Sequence, residues 1–189
     1  MKSKNKQPKI FVICGPSGAG EDSIIDGLEK KVKFNRVITT VTRKKRLGEK
    51  QGHPYYFISV KKFKTLLKKD SFVEWAIVYD DYRGCTKKEI DRLLKLGQPI
   101  IWKVDWHGAK TIKKILPKSI IIFITVPSYK TLEQRLLKRG QDSLQKIKKR
   151  KQFTQQWLKQ KKFYDYKVIN YDGKLKESIK KVLAIIKKY

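Results

Sequence analysis

Four apolar runs in the chain lack the polar alternation of a half-exposed strand: Lys9 to Cys14 (KIFVIC), Pro99 to Asp105 (PIIWKVD), Ser119 to Val126 (SIIIFITV) and the weaker Tyr166 to Asn170 (YKVIN). Such runs predict parallel strands covered on both faces. Helical patterns lie between and after them, over Asp22 to Val32, Trp106 to Ile115, Ser128 to Lys138, Asp142 to Phe163 and Gly173 to Lys188. The last puts Leu175, Ile179, Leu183 and Ile186 on one face. Strands alternating with helices predict right-handed βαβ units, hence an α/β fold whose parallel sheet is flanked by helices.

From about Val37 to Leu96 the rhythm changes. The pieces RVITTVT, YYFIS and FVEWAIVY are β-rich, with one short helix expected over Val60 to Lys69 and another over Thr86 to Leu96. This reads as an α+β lobe, 37–97, inserted between core segments 8–36 and 98–189. Ligands in open α/β sheets bind beyond the carboxyl ends of the strands. The stretch Gly15 to Ser23, the inserted lobe and the residues after Trp102 converge on that edge.

Composition narrows the picture only a little. The chain has 189 residues, enough for one domain with a real core, and a formal charge of +30. Of its 47 basic residues only eight are arginine, and the lysine pairs are spread from Lys30 to Lys188 rather than blocked together. That pattern reads as a solvated lysine-rich surface; nucleic-acid binders more often cluster arginines among exposed aromatics, so no specific nucleic acid is expected. Two cysteines give no disulfide framework or metal spacing, and the five apolar residues before Gly15 are too few for a membrane span. A cytoplasmic protein, monomer or homodimer, is the expectation.

The chemistry starts at GPSGAGEDS, Gly15 to Ser23, between the first strand and the first helix. Glycines at 15, 18 and 20 let successive backbone N–H groups, with Ser17 and Ala19 among them, turn inward at a helix N-terminus, where the dipole favours an anion. Phosphate loops of this type place a lysine after the last glycine and then a Ser or Thr on Mg²⁺. Here Glu21 and Asp22 occupy those positions.

Further along, TTVTRKKRLGEKQGHPYYF (Thr39 to Phe57) resembles the nucleotide-monophosphate lobe of guanylate kinases, with Arg43, Arg46, Gly48, Glu49, Gly52, Tyr55 and Phe57 in register. FVEWAIVYDDYRGCTK, VDWHG, RLLKRG with Arg150 ten residues after Gly140, and YDYKVIN extend the likeness over nearly all of residues 9–188. The resemblance implies a P-loop fold with a helical lid at about 139–150, and phosphorylation of GMP or dGMP by ATP with Mg²⁺. It also implies roles. Arg43, Arg46, Tyr55 and Thr39 would hold the GMP phosphate; Glu74 and Asp105 would accept hydrogen bonds from guanine; Arg139 and Arg150 would close over the transferred group. Arg135 and Asn170 would lie on the adenine side.

Each residue also has a plainer reading: Glu74 as the solvent face of a strand, Asp105 as a helix cap, Asn170 as a turn residue, Tyr55 as lobe core. Departures from the family pattern keep a catalytically inactive nucleotide or phosphopeptide binding module open as the alternative, and an RNA-binding protein rests only on the charge. Arg83 and Cys85 replace a tyrosine and a hydroxyl-bearing residue, and Lys103 stands where an acid is usual. Arg83 would supplement the phosphate grip, whereas the Cys85 thiol is a poor donor. Because Glu21 and Lys103 depart with opposite signs, Lys103 is expected to supply the missing cation and Glu21 to pair with it. Asp22 would hold Mg²⁺ directly or through water.

Overall fold

The computed structural model describes residues 7–78, 80–140, 151, 154 and 163–189. The chain runs β1 (Ile10–Cys14), α1 (Glu21–Glu29), β2 (Asn35–Arg36), β3 (Thr39–Val41), β4 (Lys50–Gln51), β5 (Pro54–Phe57), α2 (Val60–Lys68), β6 (Phe72–Val78), β7 (Asp81–Thr86) and α3 (Lys87–Leu94). It continues with β8 (Ile100–Val104), α4 (Trp106–Ile115), β9 (Ile120–Thr125), α5 (Tyr129–Arg139), β10 (Tyr166–Ile169) and α6 (Leu175–Ile186). Most of the helix expected over Asp142 to Phe163, and most of the expected lid, lie outside the described residues.

One sheet is parallel, in the order β10-β9-β1-β8-β2. All five residues of its central strand β1 are buried, which is why that run carries no polar alternation. Successive side chains point to opposite faces. Phe11 and Ile13 pack with Ile24, Ile25 and Leu28 of α1 and Val182 of α6, while Val12 and Cys14 pack with Trp102 and Ile112 on the other side.

The second sheet, β4-β5-β3-β7-β6, is mixed. The stretch RVITTVT does not form one strand. Arg36 pairs with Ile101 in the parallel sheet, Thr39 with Tyr55 in the second, and Ile38 N–H donates to the buried carboxylate of Glu89 (3.1 Å) where the chain crosses between them. Strands β4 and β7 carry no apolar period and were not foreseen. Strand β7 owes its conformation to being paired on both sides, with β3 and with β6, a tertiary cause that outweighs local preference.

Side chains cap four helices: Ser59, Thr86, Asp105 and Ser128 accept from Lys62, Glu89, Gly108 and Thr131 N–H. Helix α1 differs. Its cap is Gly20, left-handed at φ 97°, with no side-chain acceptor. A Cβ there would stand 2.5 Å from Asn170 Nδ2, so both backbone conformation and space demand glycine. At the loop's other end a Cβ on Gly15 would collide with the Ile124 carbonyl oxygen of β9. Gly15→Ala is therefore expected to cost about 1–3 kcal/mol and lower Tm in a thermal melt. An unchanged Tm would mean that the loop does not sit this tightly on β9.

Candidate active site

The loop leaves β1 buried and turns back on itself through the Ala19 N–H to Pro16 C=O bond (2.9 Å) before entering α1. Gly20 carries no capping side chain, and the backbone N–H groups of Gly20 and Glu21 at the start of α1 turn to the Glu21 carboxyl, at a helix start that favours an anion. Glu21 folds its carboxyl toward Gly15, where an added Cβ would meet Oε1 at 3.2 Å. Burial raises this carboxyl to about 7, against the opposing pull of the Lys103 ammonium.

Two residues expected on the adenine side also hold the loop from behind. Asn170 is buried, donating from Nδ2 to Ala19 C=O (2.8 Å) and accepting at Oδ1 from Ser178 Oγ (3.0 Å). Arg135 reaches the carbonyls of Gly18 (3.2 Å), Ala19 (3.3 Å) and Asn170 (2.9 Å), and pairs with Asp172 at 2.6 Å. The Asn170 side chain thus braces the loop. Arg135 is committed in the same way, although both residues line a cleft with Gly20, Ser23 and Tyr171 beside the loop.

The expected ion pair is also rearranged. Lys103 Nζ donates to Asp22 Oδ1 (2.8 Å) and Oδ2 (2.7 Å) and to Tyr55 Oη (2.8 Å), so its carboxylate partner is Asp22 and not Glu21. The cause is direction: Glu21 turns back over Gly15, while Asp22, one residue on, faces β8. Asp22 Oδ1 also takes Arg36 Nη2 at 2.7 Å, and Arg36 reaches Asp26 at 3.1 Å. Partial burial would raise the Asp22 carboxyl, but Lys103 and Arg36 outweigh it and hold the group below its ordinary value. Burial likewise opposes the Lys103 charge, yet Tyr55 and Asp22 keep its pKa above the usual lysine range.

A Mg²⁺ held directly by Asp22 would share the carboxylate with two cations, Lys103 and Arg36, already bonded to it. Among the described residues no group of three or more His, Cys, Asp and Glu could hold a metal ion.

In the second sheet Arg43 forms a two-pronged pair with Glu49 (Nη1–Oε2 2.6 Å, Nη2–Oε1 2.5 Å). Glu49 also accepts Arg46 N–H at 2.8 Å. These bonds, the side-chain pair foremost, hold the Glu49 carboxyl below its ordinary value despite some burial. The Arg43 guanidinium lies over the rings of Tyr55 (5.1 Å) and Phe57 (5.4 Å). Its two terminal nitrogens are committed to Glu49, so Arg43 is oriented from behind. Arg83 contributes a buried Nε that has no protein partner.

At the opposite end sit two carboxyls. Glu74 is 5% exposed, which corrects the solvent-face reading of its strand position. Burial, reinforced by Asp105, raises it to about 8, although the Cys85 N–H pulls the other way. Asp105 is both cap and wall: Oδ1 accepts Gly108 N–H at 2.8 Å, while Oδ2 is buried without a protein partner. Both groups converge on Gly108, where an added Cβ would be 2.9 Å from Glu74 Oε2 and 3.4 Å from Asp105 Oδ1. Burial raises the Asp105 carboxyl too, against the Gly108 N–H. Cys85 is fully buried with its Sγ toward Thr86 C=O (3.6 Å), and it is absent from the cleft wall, so its expected place beside the substrate is corrected.

One cleft therefore joins Gly15, Ser17, Gly18, Glu21 and Asp22 of the loop to Thr39, Arg43, Arg46, Tyr55 and Arg83 of the second sheet, and to Glu74, Lys103, Asp105 and Arg139. Ala19 of the loop is buried, and Arg150 lies outside the described residues. Sequence reasoning assigned no role to Arg36, Glu49 or Asp172. The scarcity of arginine could have drawn attention to Arg36; the partners of the other two depend on the folded chain.

The family model described as guanylate kinase matches residues 7–189. The chain is 42% identical over 187 residues to the guanylate kinase of Rickettsia prowazekii (strain Madrid E), covering 98% of this chain and 93% of the relative. It is 39% identical over 164 residues to that of Carboxydothermus hydrogenoformans, covering 86% and 80%. Its fold is similar to the crystal structure of guanylate kinase from Anaplasma phagocytophilum, with a TM-score of 0.73 and 23% identity over 96% of this chain and 86% of the other. On the match of the family model and the identity to these relatives, the chain belongs to the guanylate kinase family.

Proposed function

We propose that the cleft transfers the γ-phosphoryl group of ATP to GMP or dGMP, with the glycine loop holding the donor phosphates and the second sheet holding the acceptor. The observation that carries this reading is the cleft's polarity. Arg43, Arg46, Arg83 and Tyr55 line it together with two buried carboxyls, Glu74 and Asp105. GMP has the complementary polarity, a phosphate at one end and the N1–H and 2-amino donors of guanine at the other. Adenine presents an acceptor at N1 and would face the lone pairs of an ionised carboxylate there. Guanidinium forks and a phenol suit phosphate, and carboxylates suit paired N–H donors.

In the transfer itself an acceptor phosphate oxygen attacks the γ-phosphorus, the bond to the bridging oxygen breaks and ADP leaves. Little covalent work falls to the protein, so positioning and neutralisation dominate. Arg139 stands at the end of α5, lining both clefts, where it can reach the group in transit. Arg150 joins this proposal on its resemblance alone. Mg²⁺ would enter with ATP and neutralise charge on its phosphates.

A coupled ADP-release assay with ATP and each nucleoside monophosphate tests the reading. Turnover is expected with GMP or dGMP and at least about a hundredfold lower kcat/KM with AMP, the scale of discrimination when a buried polar site is left mispaired. GMP binding without turnover would overturn it in favour of an inactive binding module.

Guanine donors require an ionised Glu74, whereas the free protein holds that carboxyl protonated up to about 8. GMP binding is therefore expected to release a proton near pH 7, with affinity rising by up to about tenfold per pH unit toward pH 8. Calorimetry in buffers of different ionisation enthalpy measures that release. Glu74→Gln is expected to abolish the component; a proton release identical in wild type and Glu74→Gln would contradict the role.

A further inference from the structure

We infer that Lys103 of β8 is the phosphate-binding cation of this enzyme, anchored by Asp22, and that it replaces the lysine a phosphate loop ordinarily carries at position 21. This deepens the proposed reaction and rests on it.

Three observations converge. The loop position after Gly20 holds an acid, so the loop supplies amides but no cation of its own. Lys103 is in register with Ile13, two residues before the loop leaves β1, and its side chain lines the same cleft as Gly15, Gly18 and Asp22. Its ammonium spans the seam: Asp22 at the start of α1 holds it on one side, and the Tyr55 hydroxyl of the second sheet meets it on the other at 2.8 Å.

An ammonium carries three donors, and only charged or strongly polar acceptors offset its desolvation. Asp22 fixes its position while Tyr55 occupies the face that looks into the cleft. A phosphate oxygen can take the place of the Tyr55 oxygen without disturbing the ion pair. Arg36 completes the support from behind, bonding Asp22 at 2.7 Å, so that the carboxylate shares its charge between two cations and cannot fully cancel Lys103. Acid and base have thus exchanged sides relative to an ordinary phosphate loop: the carboxylate stands at the helix start and the ammonium on the neighbouring strand. The charges reverse at 21 and 103, and the ammonium's carboxylate partner is Asp22, which stands where such loops carry Ser or Thr.

The test moves the cation back. Wild type, Lys103→Ala, Lys103→Arg, the double variant Glu21→Lys/Lys103→Ala and the control Glu21→Gln/Lys103→Ala are compared by steady-state kinetics. ATP and GMP binding are followed by calorimetry, with thermal melts to establish folding. Lys103→Ala is expected to lower kcat by about 10²–10³, the usual cost of one transition-state donor, with GMP affinity changed less than about threefold. Lys103→Arg should recover part of the loss. Glu21→Lys/Lys103→Ala should exceed Lys103→Ala in kcat and ATP affinity by at least about tenfold, and the Gln control should not.

Lys103→Ala within about threefold of wild type would overturn the proposal. So would equal rescue by the Gln and Lys substitutions at 21, because Lys103 would then merely neutralise Glu21. If wild type itself gives no turnover, the proposed reaction fails. The order of ATP affinities across the same variants still decides where the phosphate cation resides.

Discussion

The ion pair between Lys103 and Asp22 is the interaction on which the site depends. A glycine loop can offer a polyphosphate only partial charges from its amides, and two carboxylates at the start of α1 work against even those. The chain resolves this by bringing a lysine in from β8 and clamping it between α1 and Tyr55. Three elements distant in sequence meet at one ammonium. Their meeting follows from the strand order, which places β8 directly beside β1.

Around that ammonium the charges are layered. Arg36 tempers Asp22, Glu49 orients Arg43, and Asp172 fixes Arg135 on the loop carbonyls. In each case a carboxylate holds a cation in place, which lowers the conformational entropy lost when substrate arrives. Glu74 and Asp105 instead sit raised by burial, against the pull of His107 and Arg83 on Asp105, ready to exchange a proton for the hydrogen bonds of a base. The contrast between acids bonded to cations and acids raised by burial separates structural support from recognition within a single cleft.

Much of this was legible in the chain. KIFVIC, PIIWKVD, SIIIFITV and YKVIN became β1, β8, β9 and β10, because buried parallel strands leave an unambiguous apolar run. The glycine loop and the spaced motifs from Thr39 to Asn170 led to most of the cleft wall. What stayed hidden depended on direction and pairing. Strand β7 has no period of its own. The charge reversal at 21 and 103 showed that a cation had moved, yet whether Glu21 or its neighbour would receive it turns on one backbone step at a helix start. Asn170 and Arg135 lay at the right place for a base contact, but their hydrogen bonds run inward to Ala19 and Gly18, which spacing cannot reveal.

The most direct measurement is a crystal structure with GMP and a non-hydrolysable ATP analogue bound together. The account predicts Lys103 Nζ within about 3 Å of a phosphate oxygen while Asp22 keeps its ion pair and Tyr55 turns to the GMP phosphate. A ternary complex in which Lys103 stays on Tyr55, and the donor phosphates are met only by loop amides and arginines, would contradict it.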